Sequence, residues 1–177
     1  MKNKKLKILF LYPNLNMSTL VPNAISILTA ILKQAGFNNI DLFDTTFYES
    51  DGLSKDEDRV KVGQVQPFNF DEKNIKLKRT DMYKDFINKV NKFKPDIILV
   101  PLAAFDRNLN RIGYGKGYYD RALKQLSANK KILTIGIAFS FQEASIIPTN
   151  QYDYNLDCIL TNRNLIYKKT NENFIFG

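Results

Sequence analysis

The sequence predicts an α/β fold: an open, mostly parallel sheet with helices on both faces, in three layers, finished by a C-terminal hairpin. Two observations carry this expectation. Short and nearly continuous apolar runs, as at Leu6–Tyr12 and Asp96–Val100, are what strands buried on both faces require. Between such runs apolar residues recur at helical spacing, and strands alternating with helices at this pitch build βαβ units. With 177 residues and 44% hydrophobic content the chain can bury one substantial core and is too short for two domains of ordinary size, so residues 1–177 are read as a single domain.

The elements follow in order. Leu6–Tyr12 is a strand ending before Pro13. Ile25, Leu28, Ile31, Leu32 and Ala35 form a helical face, with Gly36 as its C-terminal stop. Ile40–Phe43 is a short second strand. From Asp44 to Arg79 the chain turns polar, with the solvated run Asp56-Glu57-Asp58, and reads as an excursion with little regular structure. Thr80 or Asp81 caps a helix whose face is Tyr83, Phe86, Ile87, Val90 and Phe93, ended by Pro95. Asp96–Val100 is the next strand. Tyr119, Leu123 and Leu126 mark another helix, Lys131–Phe139 and Asp157–Leu160 are further strands, and Ile166–Lys169 with Asn173–Phe176 form the terminal hairpin.

Composition narrows the chemistry. The chain has no histidine, which removes the commonest near-neutral base, the commonest metal ligand and every Ser-His or Cys-His pair. Cys158 is its single cysteine, which excludes an internal disulfide and any cysteine-built zinc or iron-sulfur site, and suits a reducing cytoplasm. By itself Cys158 reads as a small buried hydrophobe. The net charge of +8 divides evenly, 16 basic against 12 acidic side chains in residues 1–100 and 10 against 6 in residues 101–177, so no segment is a basic arm for nucleic acid. A weak case for a nucleic-acid binder rests only on the pI near 9.4. No apolar run is long enough to span a bilayer, and the Lys-rich start lacks a secretion signal, so the expectation is a cytoplasmic protein.

Residues 111 to 121 read Arg-Ile-Gly-Tyr-Gly-Lys-Gly-Tyr-Tyr-Asp-Arg, directly after a predicted strand and before a predicted helix. Gly113, Gly115 and Gly117 can take positive φ and let the main chain approach a ligand, Lys116 supplies a charge, and the amides of Gly113 to Gly117 open a helix whose N-terminus favours anions. Loops at the carboxyl ends of such strands are where open sheets collect ligands. Alone, alternating glycines are equally a flexible turn. The string is not a Walker A loop, because Gly117 follows Lys116 where that loop needs Ser or Thr, nor is it a dinucleotide fingerprint. Plain alternatives stand beside each candidate: Tyr118 and Tyr119 as packing at a helix start, Asp120 as a carboxylate favouring the helix dipole, Asp157 as a strand-edge carboxylate, Asp106 as a cap of the loop, and Gln142 and Asp153 as structural turn residues.

With Pro101-Leu102-Ala103-Ala104-Phe105-Asp106 before the loop, Ile135-Gly136-Ile137-Ala138-Phe139 after it, and then Gln142, Pro148, Asp153, Asp157 and Thr161, residues 96–177 resemble the 5-formyltetrahydrofolate cyclo-ligases. The resemblance implies an ATP- and magnesium-dependent ligase of folate one-carbon metabolism. In that chemistry the formyl oxygen of 5-formyltetrahydrofolate attacks the γ-phosphate of ATP, releasing ADP, and nitrogen 10 then closes the ring with loss of phosphate to give 5,10-methenyltetrahydrofolate. It implies Arg111 and Lys116 as catalytic residues, the nucleotide held by Arg111, Gly113, Tyr114, Gly115, Lys116, Gly117, Tyr118 and Tyr119, and magnesium by Asp120 and Asp157. Reduced folate and ATP are the partners it implies, without nucleic acid or membrane, and a monomer is favoured.

The first hundred residues read differently. Lys7-Ile8-Leu9-Phe10-Leu11-Tyr12-Pro13, Val21-Pro22-Asn23-Ala24-Ile25, Lys33-Gln34-Ala35-Gly36-Phe37 and Asp41-Leu42-Phe43-Asp44 resemble the amino-terminal cobalamin-binding-like domain of radical S-adenosylmethionine enzymes. The chain therefore reads as a composite, a cobalamin-binding-like part over 1–95 and a cyclo-ligase-like part over 96–177 joined near 96–101. It lacks the cysteine cluster for radical chemistry and any histidine to ligate cobalt. Two functions follow: a cyclo-ligase with an atypical amino-terminal half, or a non-catalytic module holding cobalamin or a nucleotide.

Overall fold

The computed structural model describes residues 5–13, 23–48, 72–113, 118–129 and 131–168. Its centre is a six-stranded sheet of order β2-β1-β3-β6-β7-β8. Strand β1 (Lys7–Tyr12) pairs in parallel with β2 (Asn39–Asp44) and with β3 (Ile97–Pro101), β3 pairs in parallel with β6 (Leu133–Ala138), and β6 with β7 (Cys158–Thr161). Strand β8 (Leu165–Tyr167) returns antiparallel to β7. From β1 the chain steps one way to β2 and from β3 the other way to β6, so the strand order reverses between β1 and β3. That is the switch point at which open α/β sheets leave a crevice beyond their carboxyl ends.

Helix α1 (Asn23–Gln34) covers one face, where Ile25, Leu28 and Leu32 pack over Ile8, Phe10 and Leu99. Ile31, placed on this inner face by periodicity, is 54% exposed, because the stripe that meets the sheet is carried by its neighbours. Gly36 stops the helix as expected: its φ is 92°, and the pair of bonds Gly36 N to Lys33 O and Phe37 N to Leu32 O closes a Schellman motif. Helices α2 (Met82–Phe93) and α3 (Tyr118–Asn129) cover the other face through Phe86, Val90, Ala122, Leu123 and Leu126, giving the expected three layers. Asp81 rather than Thr80 caps α2, accepting from the amides of Tyr83 and Lys84, while the Thr80 hydroxyl donates to Asp85. No helix among the described residues is long and apolar enough to cross a membrane.

Both ends of the polar excursion are ordered against the sheet. Thr45 donates its amide to Tyr12 O, Tyr48 bridges to Lys78, and the Tyr48 hydroxyl donates to Asp85 at 2.8 Å. Residues 49–71 lie outside the described residues. A hairpin other than the expected one forms between β7 and β8, turning through Asn162–Asn164 where the Thr161 hydroxyl accepts from the amides of Arg163 and Asn164. The expected partner strand at Asn173–Phe176 lies outside the described residues.

After β3 the chain makes a small hairpin, β4 (Ala104–Phe105) against β5 (Arg111–Ile112), which the sequence did not announce. Asp106, 1% exposed, organises its turn. One carboxylate oxygen accepts from the amides of Asn108 and Asn110, and the other from the Asn110 side chain and the Ile147 amide. Asp106 thus caps the loop and also ties it to the 147 segment. Burial alone would raise the Asp106 carboxyl, but bonds from the Asn110 side chain and from the amides of Ile147, Asn110 and Asn108 outweigh it and hold it below the ordinary range. The turn places Leu109 in the left-handed region at φ 69° while burying its side chain.

Asp106→Asn is expected to cost about 2 kcal/mol of stability near neutral pH, because an amide cannot accept on both sides. A depressed carboxyl stabilises the fold above its unfolded pKa of about 3.9 and loses that contribution as pH falls through the lower folded value. The difference in urea midpoint between wild type and Asp106→Asn should therefore be constant from about pH 5 upward and shrink below about pH 4. A difference independent of pH would contradict this account.

Candidate functional site

The hairpin delivers Arg111 to the start of α3. Its Nη2 donates to Asp120 Oδ1 at 2.8 Å, with the Arg111 side chain 4% and the Asp120 side chain 16% exposed. Asp120, in the first turn of α3, also accepts from the Tyr154 amide at 3.3 Å. Gly113 does not take the positive φ expected of it. Its glycine character serves another need, since a Cβ there would stand 2.6 Å from Arg111 Nη1, so any side chain would push the guanidinium off its seat. Tyr114, Gly115, Lys116 and Gly117 lie outside the described residues, as does the side chain of Tyr118, whose main chain begins α3.

Tyr119 packs edge-on against Phe86 with ring centroids 5.6 Å apart, in line with the packing alternative for this residue. Burial raises its phenol, opposed by the neighbouring Thr45 hydroxyl and Arg111 and reinforced by the charge of Asp44. Among the described residues the Tyr119 hydroxyl, which faces Thr45, makes no hydrogen bond of ordinary geometry, and neither does the buried Nε of Arg111. Donors without acceptors at the mouth of a glycine-rich segment, beside a helix N-terminus, suit an anionic ligand.

The two carboxylates expected to share magnesium are not brought together. Asp157 Oδ2 accepts from the amide and the hydroxyl of Thr134, at the amino ends of β6 and β7, whereas Asp120 is in the first turn of α3 and is bonded to Arg111. Tyr154 runs between them: its amide meets Asp120 and its hydroxyl reaches toward Thr134 and Ser127, burial and then the charge of Asp157 raising the phenol. Among the described residues no group of three or more acidic, histidine or cysteine side chains could hold a metal ion.

Gln142 and Asp153 both hold main-chain groups. Gln142 donates to the carbonyls of Leu102 and Ala103 and accepts from the Phe139 amide, while Asp153 accepts from the Asn150 amide. Cys158 is fully buried, and burial, with the nearby charge of Asp157, pushes its thiol up to about 12, too high for a nucleophile. Tyr154 and Thr45 are the site residues that sequence reasoning missed. Neither sits in a motif, and each reaches the site only through tertiary packing.

A mostly parallel six-stranded sheet covered by helices on both faces, with its strand order reversing between β1 and β3, defines an open α/β protein. The chain belongs to the 5-formyltetrahydrofolate cyclo-ligase family, whose sequence model matches residues 53–162. The 5-formyltetrahydrofolate cyclo-ligase of Mycoplasma genitalium is 47% identical over 75 residues, 42% of this chain and 44% of the relative. That of Saccharomyces cerevisiae is 42% identical over 69 residues, 37% of this chain and 33% of the relative. A solved 5,10-methenyltetrahydrofolate synthetase from Mycoplasma pneumoniae aligns over 89% of this chain and 74% of its own, at 25% identity and a TM-score of 0.47. The chain thus spans less than half the length of the curated relatives it matches.

The family match begins at residue 53, ahead of the join expected near 96–101, and β3, the strand placed at that join, is paired on both sides within one sheet. None of these matches supports the cobalamin-protein likeness of the first hundred residues.

Because Asp120 is the ionic partner of a buried arginine, Asp120→Asn should cost roughly 3–5 kcal/mol, the penalty of leaving Arg111 buried and unpaired. Arg111→Met with Asp120→Leu should cost clearly less than the sum of the two single changes. Urea denaturation of five proteins, wild type, Asp120→Asn, Asp120→Leu, Arg111→Met and the double Arg111→Met/Asp120→Leu, measures both quantities, and additive losses would show that the pair is not coupled.

Proposed function

We propose that this chain is a 5-formyltetrahydrofolate cyclo-ligase, using ATP to convert 5-formyltetrahydrofolate to 5,10-methenyltetrahydrofolate. What carries the reading is the place of residues 111–121 in a chain of this family: they connect β5 to the first turn of α3, at the carboxyl ends of the central strands. Such a reaction asks the protein for positioning and charge neutralisation more than for covalent chemistry, which suits a site without histidine. Arg111, held by Asp120 with its Nε still unpartnered, would orient an oxygen of the nucleotide or of the folate. Lys116 and the amides of Gly113 to Gly117 would neutralise the γ-phosphate as the formyl oxygen attacks it. Magnesium enters this scheme as part of the substrate MgATP.

The methenyl product absorbs in the near ultraviolet, so its formation can be followed directly. Lys116→Ala is expected to lower the rate by about a hundredfold, the scale of removing one preorganised group that stabilises developing charge. Equal rates in the two proteins would remove the glycine segment from the mechanism.

A further inference from the structure

The 3-10 turn Ser140–Gln142, which follows β6, presents two phenylalanines to solvent. Phe139 is 58% and Phe141 82% exposed, and their rings stack with centroids 5.5 Å apart and planes within 9° of parallel. Exposing two large aromatic rings forfeits the burial that usually fixes them. The turn itself is firmly seated. Gln142 Oε1 accepts from the Phe139 amide at 2.7 Å, Gln142 Nε2 donates to the carbonyls of Leu102 and Ala103, and the Ser140 amide donates to Asn162 Oδ1 at 2.8 Å. These bonds fasten the turn to the carboxyl ends of β3, β6 and β7, on the rim from which the hairpin and the glycine segment also rise. The Glu143 segment bridges to Phe105 in β4, and Arg107 in the hairpin turn pairs with Glu143 at 2.7 Å, so the ring pair and the hairpin that carries Arg111 are joined.

We propose that Phe141, backed by Phe139, is a stacking platform for a flat heteroaromatic ring of a ligand bound at this rim. This inference rests on the cyclo-ligase reading. Two rings there share the required chemistry, the pterin of a reduced folate and the adenine of ATP. A rigid, already stacked pair accepts a third ring without ordering a loose side chain, so little entropy is lost on binding.

Calorimetric titration of the full chain with 5-formyltetrahydrofolate, and separately with ATP and magnesium, tests this in wild type, Phe141→Ala and Phe141→Tyr. Phe141→Ala should weaken one of the two ligands by about tenfold, the scale of a lost aromatic stack, and leave the other unchanged. The affected ligand identifies the ring. Phe141→Tyr should restore the affinity, and the melting temperature should not move, because the ring is mostly in water. Unchanged affinity for both ligands in Phe141→Ala overturns the platform alone, while a wild-type chain that binds neither ligand overturns the cyclo-ligase reading and the platform with it. Self-association in sedimentation that disappears in Phe141→Ala, with both affinities unchanged, assigns the ring to a contact between copies and also overturns the proposal.

Discussion

The architecture of the site depends on one buried ion pair. Arg111 and Asp120 stand on either side of the glycine-rich segment, one at the end of a hairpin and the other in the first turn of α3, and meet at 2.8 Å almost out of solvent. Desolvating two charges is costly, and their attraction offsets that cost only when the geometry is good. Such a pair adds little net stability but strongly penalises any arrangement that parts it. Here it fixes the distance between the two ends of the segment, and it holds the guanidinium beside a helix N-terminus. Gly113 belongs to the same constraint, because a side chain there would collide with the guanidinium.

Around this pair the fold works as a rigid mount. The central strands β1 and β3 are paired on both edges and covered on both faces, so the loops beyond their carboxyl ends are held by the best-packed part of the molecule. Gly136 in β6 shows how tight that packing is, since a Cβ would stand 2.7 Å from Leu156 Cδ1 and 2.9 Å from Leu102 Cδ2. Asp106 and Gln142 then fasten the hairpin and the aromatic turn to this mount with bonds from groups distant in sequence. Polar side chains, rather than apolar packing alone, thus set the shape of the rim.

Much of the fold could be read from apolar periodicity, because strands buried on both faces and helices with a single apolar stripe leave strong local patterns. Gly36 and Asp81 were legible as helix ends for the same reason: capping chemistry is local. The β4–β5 hairpin was not, since each strand has two residues and its turn is held by Asp106 through contacts as far away as Ile147. Arg111 and Asp120 were both recognised as site residues. Their mutual pairing was missed because each had been given a ligand, although opposite charges at the two ends of a glycine run were a usable signal. The expected terminal hairpin of Ile166–Lys169 with Asn173–Phe176 falls partly outside the described residues, whereas the turn chemistry of Thr161 and Asn164 pairs Leu165–Tyr167 with β7.

The most direct measurement is a crystal structure of the chain with MgATP. The account predicts the phosphates against residues 113–117, with Arg111 still bonded to Asp120 and its Nε now donating to the nucleotide or to a water on it. A nucleotide bound elsewhere, or Asp120 withdrawn from Arg111 to ligate the magnesium ion together with Asp157, would contradict it.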